Sequence, residues 1–182
     1  IDSALQAGIE KFVFLGSSCI YPRLAPQPLK EDYLLTGDLE PTNEWYAIAK
    51  ITGVKTCQAI RKQFDKDYVS LMPTNLYGTY DNFDLNTSHV LPAMMRKFHE
   101  AKESNNAPVT LWGSGTPLRE FLFVDDMAEA VVFALENTLP DYLYNIGTGV
   151  DLTIKELAET IQKITGHQGE IIWDASKPDG TP

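Results

Sequence analysis

Cysteine is scarce: the 182 residues hold only Cys19 and Cys57. Two thiols cannot build a disulfide framework, so a reducing setting and a cytoplasmic location are the expectation. Basic residues are in deficit, with 15 Lys and Arg against 25 Asp and Glu and a net charge of −10. Nucleic acid and anionic membrane both call for a basic face, and this balance argues against either partner. A small anionic ligand stays open, because a few local cations can hold it. No apolar run approaches the roughly 18 residues of a spanning helix, no signal peptide is visible, and no metal site is expected. Glycine is never spaced as G-x-x-G-x-x-G. The "GTG" at 147–149 resembles the start of a phosphate loop, but Leu152 stands where a third glycine belongs. Such a loop also comes first in a doubly wound fold, so this one reads as a turn. The chain opens on Ile1 and closes on "KPDGTP", a turn-like stretch with no closing element. The expectation is a piece of a longer protein.

The residues that are present describe a globular, soluble chain, 43% hydrophobic and 22% charged. Its length suits one core, or one domain with part of another. Residues 3–9 read as the end of a helix. "KFVFLGS" reads as a strand buried on both faces, the pattern of a parallel sheet. A proline-rich loop leads to a long helix over 45–64. A second buried strand, "YVSLMPTNLYG", ends in a turn at Pro73. Helix "SHVLPAMMRKFHEA", strands "VTLWGSG" and "EFLFV", helix "DDMAEAVVFALE" and strand "LYNIG" follow. "TIKELAETIQKIT" opens with a capping box, Thr153 and Glu156, and "EIIWD" is the last strand. Strands alternating with helices give the α/β class and a doubly wound parallel sheet.

Chemistry concentrates in two stretches. Tyr46 and Lys50 stand four apart in "YAIAK", a spacing that shares one helical face. A tyrosine is a poor acid–base at neutral pH, with an ordinary pKa of about 10. A lysine ammonium beside it favours the phenolate. A serine hydroxyl at a nearby strand end can bond the same substrate oxygen, and together the three can pass a proton at a carbonyl while hydride moves at carbon. "GSSCIYP" supplies such a strand end, upstream of "YAIAK", and sets a thiol beside the hydroxyls. A Y-x-x-x-K alone is weak; joined to this strand end it is fairly specific.

"FLGSSCIYP", "EPTNEWYAIAK", "MPTNLYG", "SHVLPAMMRKFHEA", "LWGSGTPLREFLFVDDMA" and "YNIGTG" together resemble the extended short-chain dehydrogenase/reductases, and within them the GDP-L-fucose synthases. The likeness covers nearly the whole chain. It implies NADPH-dependent conversion of GDP-4-keto-6-deoxy-D-mannose to GDP-L-fucose, by epimerisation at C3 and C5 and then hydride reduction at C4. Ser17, Tyr46 and Lys50 match the catalytic Ser-Tyr-Lys set. Cys19 and His89 match the acid/base pair of the epimerisation, for which a thiol and an imidazole have suitable ordinary pKa values. Leu15, Gly16, Ser17, Ser18, Tyr46, Lys50, Pro73, Thr74, Asn75, Leu76 and His89 match NADP(H) contacts, and Lys97, Trp112 and Arg119 match GDP-sugar contacts.

The resemblance further implies that 1–85 is the later part of an NADP-binding Rossmann domain, and that 86–182 is mostly substrate-binding, with about 120–147 returning to the sheet. The glycine-loop units and the C-terminal end of such enzymes are missing, so the fragment alone is expected to be inactive. The complete enzyme is expected to be a homodimer that pairs through the helix bearing Tyr46 and its neighbour. Two rivals stand beside this reading. One is another nucleotide-sugar epimerase or dehydratase of the same class, although its dehydratases carry acids where Ser18 and Cys19 stand. The other is a non-catalytic sugar-nucleotide binder, although such proteins tend to lose the Tyr or Lys. Ordinary structural roles are expected for Cys57, buried in a helix, for Met94 and Met95 in the core, for His99 and His167 at the surface, and for Asp125 and Asp126 capping a helix.

Overall fold

A computed structural model describes residues 1–177 and 179, so most of the expected turn at the end of the chain lies outside the described residues. In chain order the elements are α1 (Asp2–Gln6), β1 (Lys11–Leu15), α2 (Glu44–Phe64), β2 (Asp67–Pro73), β3 (Asn75–Tyr77), α3 (Val90–Glu103), β4 (Val109–Trp112), β5 (Leu118–Phe123), α4 (Val124–Glu136), β6 (Leu143–Ile146), β7 (Asp151–Thr153), α5 (Ile154–Thr165) and β8 (Ile171–Asp174). The fold is a Rossmann-like α/β arrangement with a parallel sheet. It divides into two compact units, Ile1–Leu76 with Leu122–Thr148, and Tyr77–Phe121 with the residues from Gly149 onward.

In the first unit β1, β2 and β6 run parallel, in that order across the sheet. Side chains alternate along a strand, and the alternation sorts two hydrophobic layers. Met72 and Leu143 meet Ile51 and Val54 of α2 on one face. Val69 and Leu71 meet Met127 and Ala134 of α4 on the other. A helix on each face is the doubly wound pattern. Gly53 lets α2 come close, because a Cβ there would lie 2.2 Å from the Phe14 ring. The central strand is buried from Tyr68 to Met72. By contrast β1, expected to be buried on both faces, is only half-buried, and Leu15 is 47% exposed. It has a neighbour on one side only among the described residues, so one of its edges is left unpaired.

In the second unit β4 and β8 pair in parallel, Val109 with Ile171 and Trp112 with Asp174. β5 pairs antiparallel with β7, a short strand with no reading in the sequence. Helices α3 and α5 share a core of Met94, Phe98, Leu157, Ala158 and Ile161 with Val109 and Leu111. The capping box forms: Glu156 N–H donates to Thr153 Oγ1 at 3.0 Å, and Thr153 N–H donates to Glu156 Oε2 at 2.8 Å. Met95 and His167 lie otherwise than expected. Met95 is 42% exposed while Met94 is buried, because adjacent positions on a helix point 100° apart and a narrow apolar stripe covers one of them. His167, expected at the surface, is buried. Gly166 ends α5 with φ +74° and turns the chain inward, so His167 sits edge-on to Phe98, with Nε2 2.8 Å from the Ala107 carbonyl.

Candidate active site

Strand β1 ends at Leu15, and Gly16 N–H still bonds the Leu71 carbonyl of β2 at 2.9 Å. The chain then breaks into a 3₁₀ turn, Ser18–Ile20. Ser17 caps that turn: its Oγ accepts from Cys19 N–H at 3.3 Å. Ile20 and Tyr21 are buried in the core while Cys19 is exposed, so the turn holds the thiol outward. Cys57 is fully buried, and burial pushes its thiol pKa up. Ser17, Ser18 and Cys19 therefore share one strand end, as their sequence requires, but only the tertiary anchoring of Ile20 and Tyr21 fixes which side chain faces out.

Helix α2 brings Tyr46 and Lys50 to the same strand end. Lys50 Nζ donates to the Leu15 carbonyl at 2.9 Å. The same ammonium lies 5.6 Å from the Tyr46 ring centroid and 5.4 Å from that of Phe14. Lys50 thus links the helix, the end of the strand and the aromatic ring of Tyr46, which is 46% exposed. The Pro73–Leu76 stretch runs from the end of β2 into β3. Thr74 N–H bonds the Ile146 carbonyl at 3.1 Å, while Thr74 Oγ1 is buried with no hydrogen-bond partner among the described residues. A buried hydroxyl without a partner costs about 1–3 kcal/mol, and a ligand group that bonds it would remove that cost.

The second unit carries the other expected residues. His89 is the exposed N-cap residue of α3, and its side chain makes no capping bond. Lys97, Trp112 and Arg119, spread over 23 residues of sequence, line one cavity of about 330 Å³ together with Ser88, Ile154 and Asp179. Lys97 Nζ donates to the Thr110 carbonyl at 3.1 Å. Arg119 Nη1 donates to the Leu118 carbonyl at 2.6 Å, and burial pulls the guanidinium pKa below its ordinary value. Trp112 is 64% exposed, with Lys177 Nζ 5.6 Å from its ring centroid. Two cations and an indole in one cavity suit an anionic ligand that carries a flat or sugar ring.

Asp179 lines the same cavity without any local sequence signal. Its Oδ1 accepts from Ser114 N–H at 2.6 Å and its Oδ2 from Ser114 Oγ at 2.9 Å. That holds the loop between β4 and β5 against the cavity. Gly113 is required there twice over, by φ +79° and because a Cβ would fall 2.2 Å from Asp179 Oδ1. Serine and glycine in "WGSGTP" signal a turn, but nothing local names a partner 65 residues on. A larger hollow of about 820 Å³ beside α4, lined by Phe133, Leu139, Tyr144 and Ile146, holds none of the expected site residues. Among the described residues there is no helix long and apolar enough to cross a membrane, and no group of three potential metal ligands.

Residues 1–147 match the model of the NAD dependent epimerase/dehydratase family. The chain is 58% identical over 182 residues to GDP-L-fucose synthase 1 of Arabidopsis thaliana, covering 100% of this chain and 56% of that protein. It is 56% identical over 191 residues to the GDP-L-fucose synthase of Escherichia coli K12, covering 100% of this chain and 60% of that one. A solved GDP-L-fucose synthetase from Naegleria fowleri bound to NADP superposes with a TM-score of 0.87 at 29% identity, covering 98% of this chain and 58% of that one. The chain thus spans little more than half the length of the relatives it matches. With the family model covering most of its residues, and with a Rossmann-like sheet that brings Tyr46 and Lys50 to a serine-bearing strand end, the chain belongs to the NAD dependent epimerase/dehydratase family.

Proposed function

We propose that the complete protein makes GDP-L-fucose from GDP-4-keto-6-deoxy-D-mannose with NADPH, inverting C3 and C5 before reducing C4. The observation that carries this reading is the strand end itself. Lys50 bonds the Leu15 carbonyl beside Tyr46, two residues before Ser17, and Cys19 is the exposed thiol on the turn that Ser17 caps. High identity over the whole chain to GDP-L-fucose synthases supports the choice of sugar.

The C4 ketone acidifies the protons on C3 and C5, because an enolate can form. Cys19 and His89 are the pair that removes a proton on one face and returns one on the other, which is why a thiol stands where a small hydroxyl would serve a simple reductase. Ser17 and Tyr46 bond the C4 oxygen, Tyr46 gives it a proton, and Lys50 keeps Tyr46 competent to do so. NADPH supplies the hydride for C4. The residues suited to its nicotinamide end are Leu15–Ser18, Tyr46, Lys50, Pro73–Leu76 and His89. The unpartnered Thr74 hydroxyl fits such a contact. These 182 residues carry no glycine loop for the pyrophosphate. On this reading the first unit belongs to the NADP-binding domain. The second unit holds the GDP-sugar in the cavity of Lys97, Trp112 and Arg119. The complete enzyme works in the cytoplasm as a homodimer, paired through the exposed face of α2, where Trp45 is 80% exposed.

The test is to incubate the complete protein with the keto-sugar and NADPH in D₂O. GDP-L-fucose with deuterium at C3 and C5 is expected. A C4 epimer, a dehydrated sugar or unchanged substrate overturns the reading.

A further inference from the structure

Asn145, on β6, makes three hydrogen bonds to one excursion of the chain. Its side-chain oxygen accepts from the Tyr21 hydroxyl at 2.6 Å. Its side-chain amide donates to the Leu29 carbonyl at 3.1 Å. Its backbone N–H donates to Glu31 Oε1 at 2.8 Å. The residues bonded lie 114 to 124 positions away in sequence, so nothing local imposes these contacts. Tyr21 is 4% exposed and packs with Ile20, Leu34, Ile51, Val54 and Met72.

The position of Tyr21 gives this cluster its meaning. At one end of the turn, Gly16 N–H is bonded to Leu71 of β2. At the other end, the Tyr21 hydroxyl is bonded to Asn145 of β6. Only Ser17, Ser18, Cys19 and Ile20 lie between the two anchors. Inside the span the bonds are longer: Cys19 N–H to Ser17 Oγ at 3.3 Å, Ile20 N–H to the Ser17 carbonyl at 3.2 Å and Tyr21 N–H to the Ser18 carbonyl at 3.2 Å. A 3₁₀ turn of three residues has poor hydrogen-bond geometry of its own. Its shape therefore depends on what holds its ends.

We propose that Tyr21 and Asn145 are positioning residues for Cys19: their hydrogen bond closes the far end of the turn and so fixes where the thiol stands relative to the end of β1. The role of the thiol in proton exchange rests on the function proposed above; the anchoring of the turn does not. Burial, and after it the carboxylate of Glu31, push the Tyr21 pKa upward, so the hydroxyl stays a donor to Asn145 throughout the working pH range. Serine at the strand end feels the anchor less than Cys19 does, because Gly16 holds its side of the span directly. The proposal thus separates two activities that share one strand end: loss of the anchor falls on exchange at C3 and C5 before it falls on reduction at C4.

Two measurements on Tyr21→Phe test this. The first uses the 182-residue chain and needs no activity: amide hydrogen exchange at residues 19–21. Removing one neutral hydrogen bond is expected to lower protection of those amides about tenfold, with β2 unchanged. If protection falls throughout the chain, Asn145→Ser replaces it, since serine keeps the backbone bond to Glu31 but cannot reach Tyr21. The second uses the complete protein: deuterium uptake at C3 and C5, divided by the rate of reduction at C4. That ratio is expected to fall, whereas general loosening would lower both rates together. Unchanged protection at 19–21 overturns the anchor whatever the activity. Lowered protection with an unchanged ratio overturns the positioning role. If Cys19→Ser also leaves uptake unchanged, the failure belongs to the proposed role of the thiol instead.

Discussion

The strand end of the first unit and the cavity of the second are built in opposite ways. At the strand end, Ser17, Ser18 and Cys19 are consecutive, and Tyr46 and Lys50 lie one helical turn apart. One long-range bond, Lys50 to the Leu15 carbonyl, joins the two pieces. The cavity takes Lys97 from α3, Trp112 from β4, Arg119 from β5 and Asp179 from beyond β8. No two of them share a turn or a strand. Groups that are neighbours along one element can be written in short motifs, while the lining of a cavity is gathered from wherever the fold brings chain together.

That contrast can be broken by mutation, and the largest effect is expected at the strand end. In the complete protein, Tyr46→Phe should lower C4 reduction about 10²–10⁴-fold, the range for a general acid–base group, while deuterium still enters C3 and C5. Cys19→Ser should do the reverse, suppressing uptake in an otherwise folded enzyme. Near-normal NADPH oxidation in the first variant, or normal uptake in the second, removes the division of labour.

A smaller effect is expected in the cavity. Arg119→Ala should weaken GDP binding by about 2 kcal/mol, the scale of a charge-assisted hydrogen bond. Calorimetry that finds equal affinity places the diphosphate elsewhere. Gly113→Ala tests the same cavity indirectly, because Gly113 does not line it, but alanine there cannot keep φ +79° beside Asp179, which does. It should lower stability by about 1 kcal/mol or more and weaken GDP binding with it, as read by thermal melting and calorimetry on one preparation. A stable variant with full affinity would show that the loop does not shape the cavity.

Three further measurements concern the 182-residue chain. Its edge strand β1 is half-buried and has one open side among the described residues, which favours pairing with another chain. Light scattering should therefore find oligomers, and NADPH fluorescence should find weak binding, since no glycine loop is present in these residues; tight binding by a monomer overturns both. The smallest effect is a difference in labelling. Brief treatment with iodoacetamide should modify Cys19 and spare Cys57, which is fully buried. Equal labelling would mean that the core around Cys57 opens readily.

Much of the architecture was legible because its signals are local. The apolar spacing of 45–64 matches α2, which begins at Glu44. The capping box at Thr153 is two side chains reaching three residues each way. The errors share one cause. The apolar run "KFVFL" could not tell how many neighbours its strand has, so β1 was expected deeper than it lies. Met95 reads like Met94 until the helix is rotated against its core. His167 reads as polar surface until Gly166 turns it under Phe98.

The amino-acid order by itself therefore determined which candidate groups stand together locally, hydroxyls and thiol at one strand end and phenol and ammonium on one helical turn, because each set is fixed by spacing along its own element. Tertiary structure decided what those groups and the cavity residues face. The exposure of Cys19, the burial of His167, the meeting of Lys97 with Trp112 and Arg119, and the three bonds of Asn145 each depend on contacts between residues far apart in the chain. Hydrogen bonds and close packing act over a few ångströms in space, and the sequence distance between partners leaves no local mark on either of them.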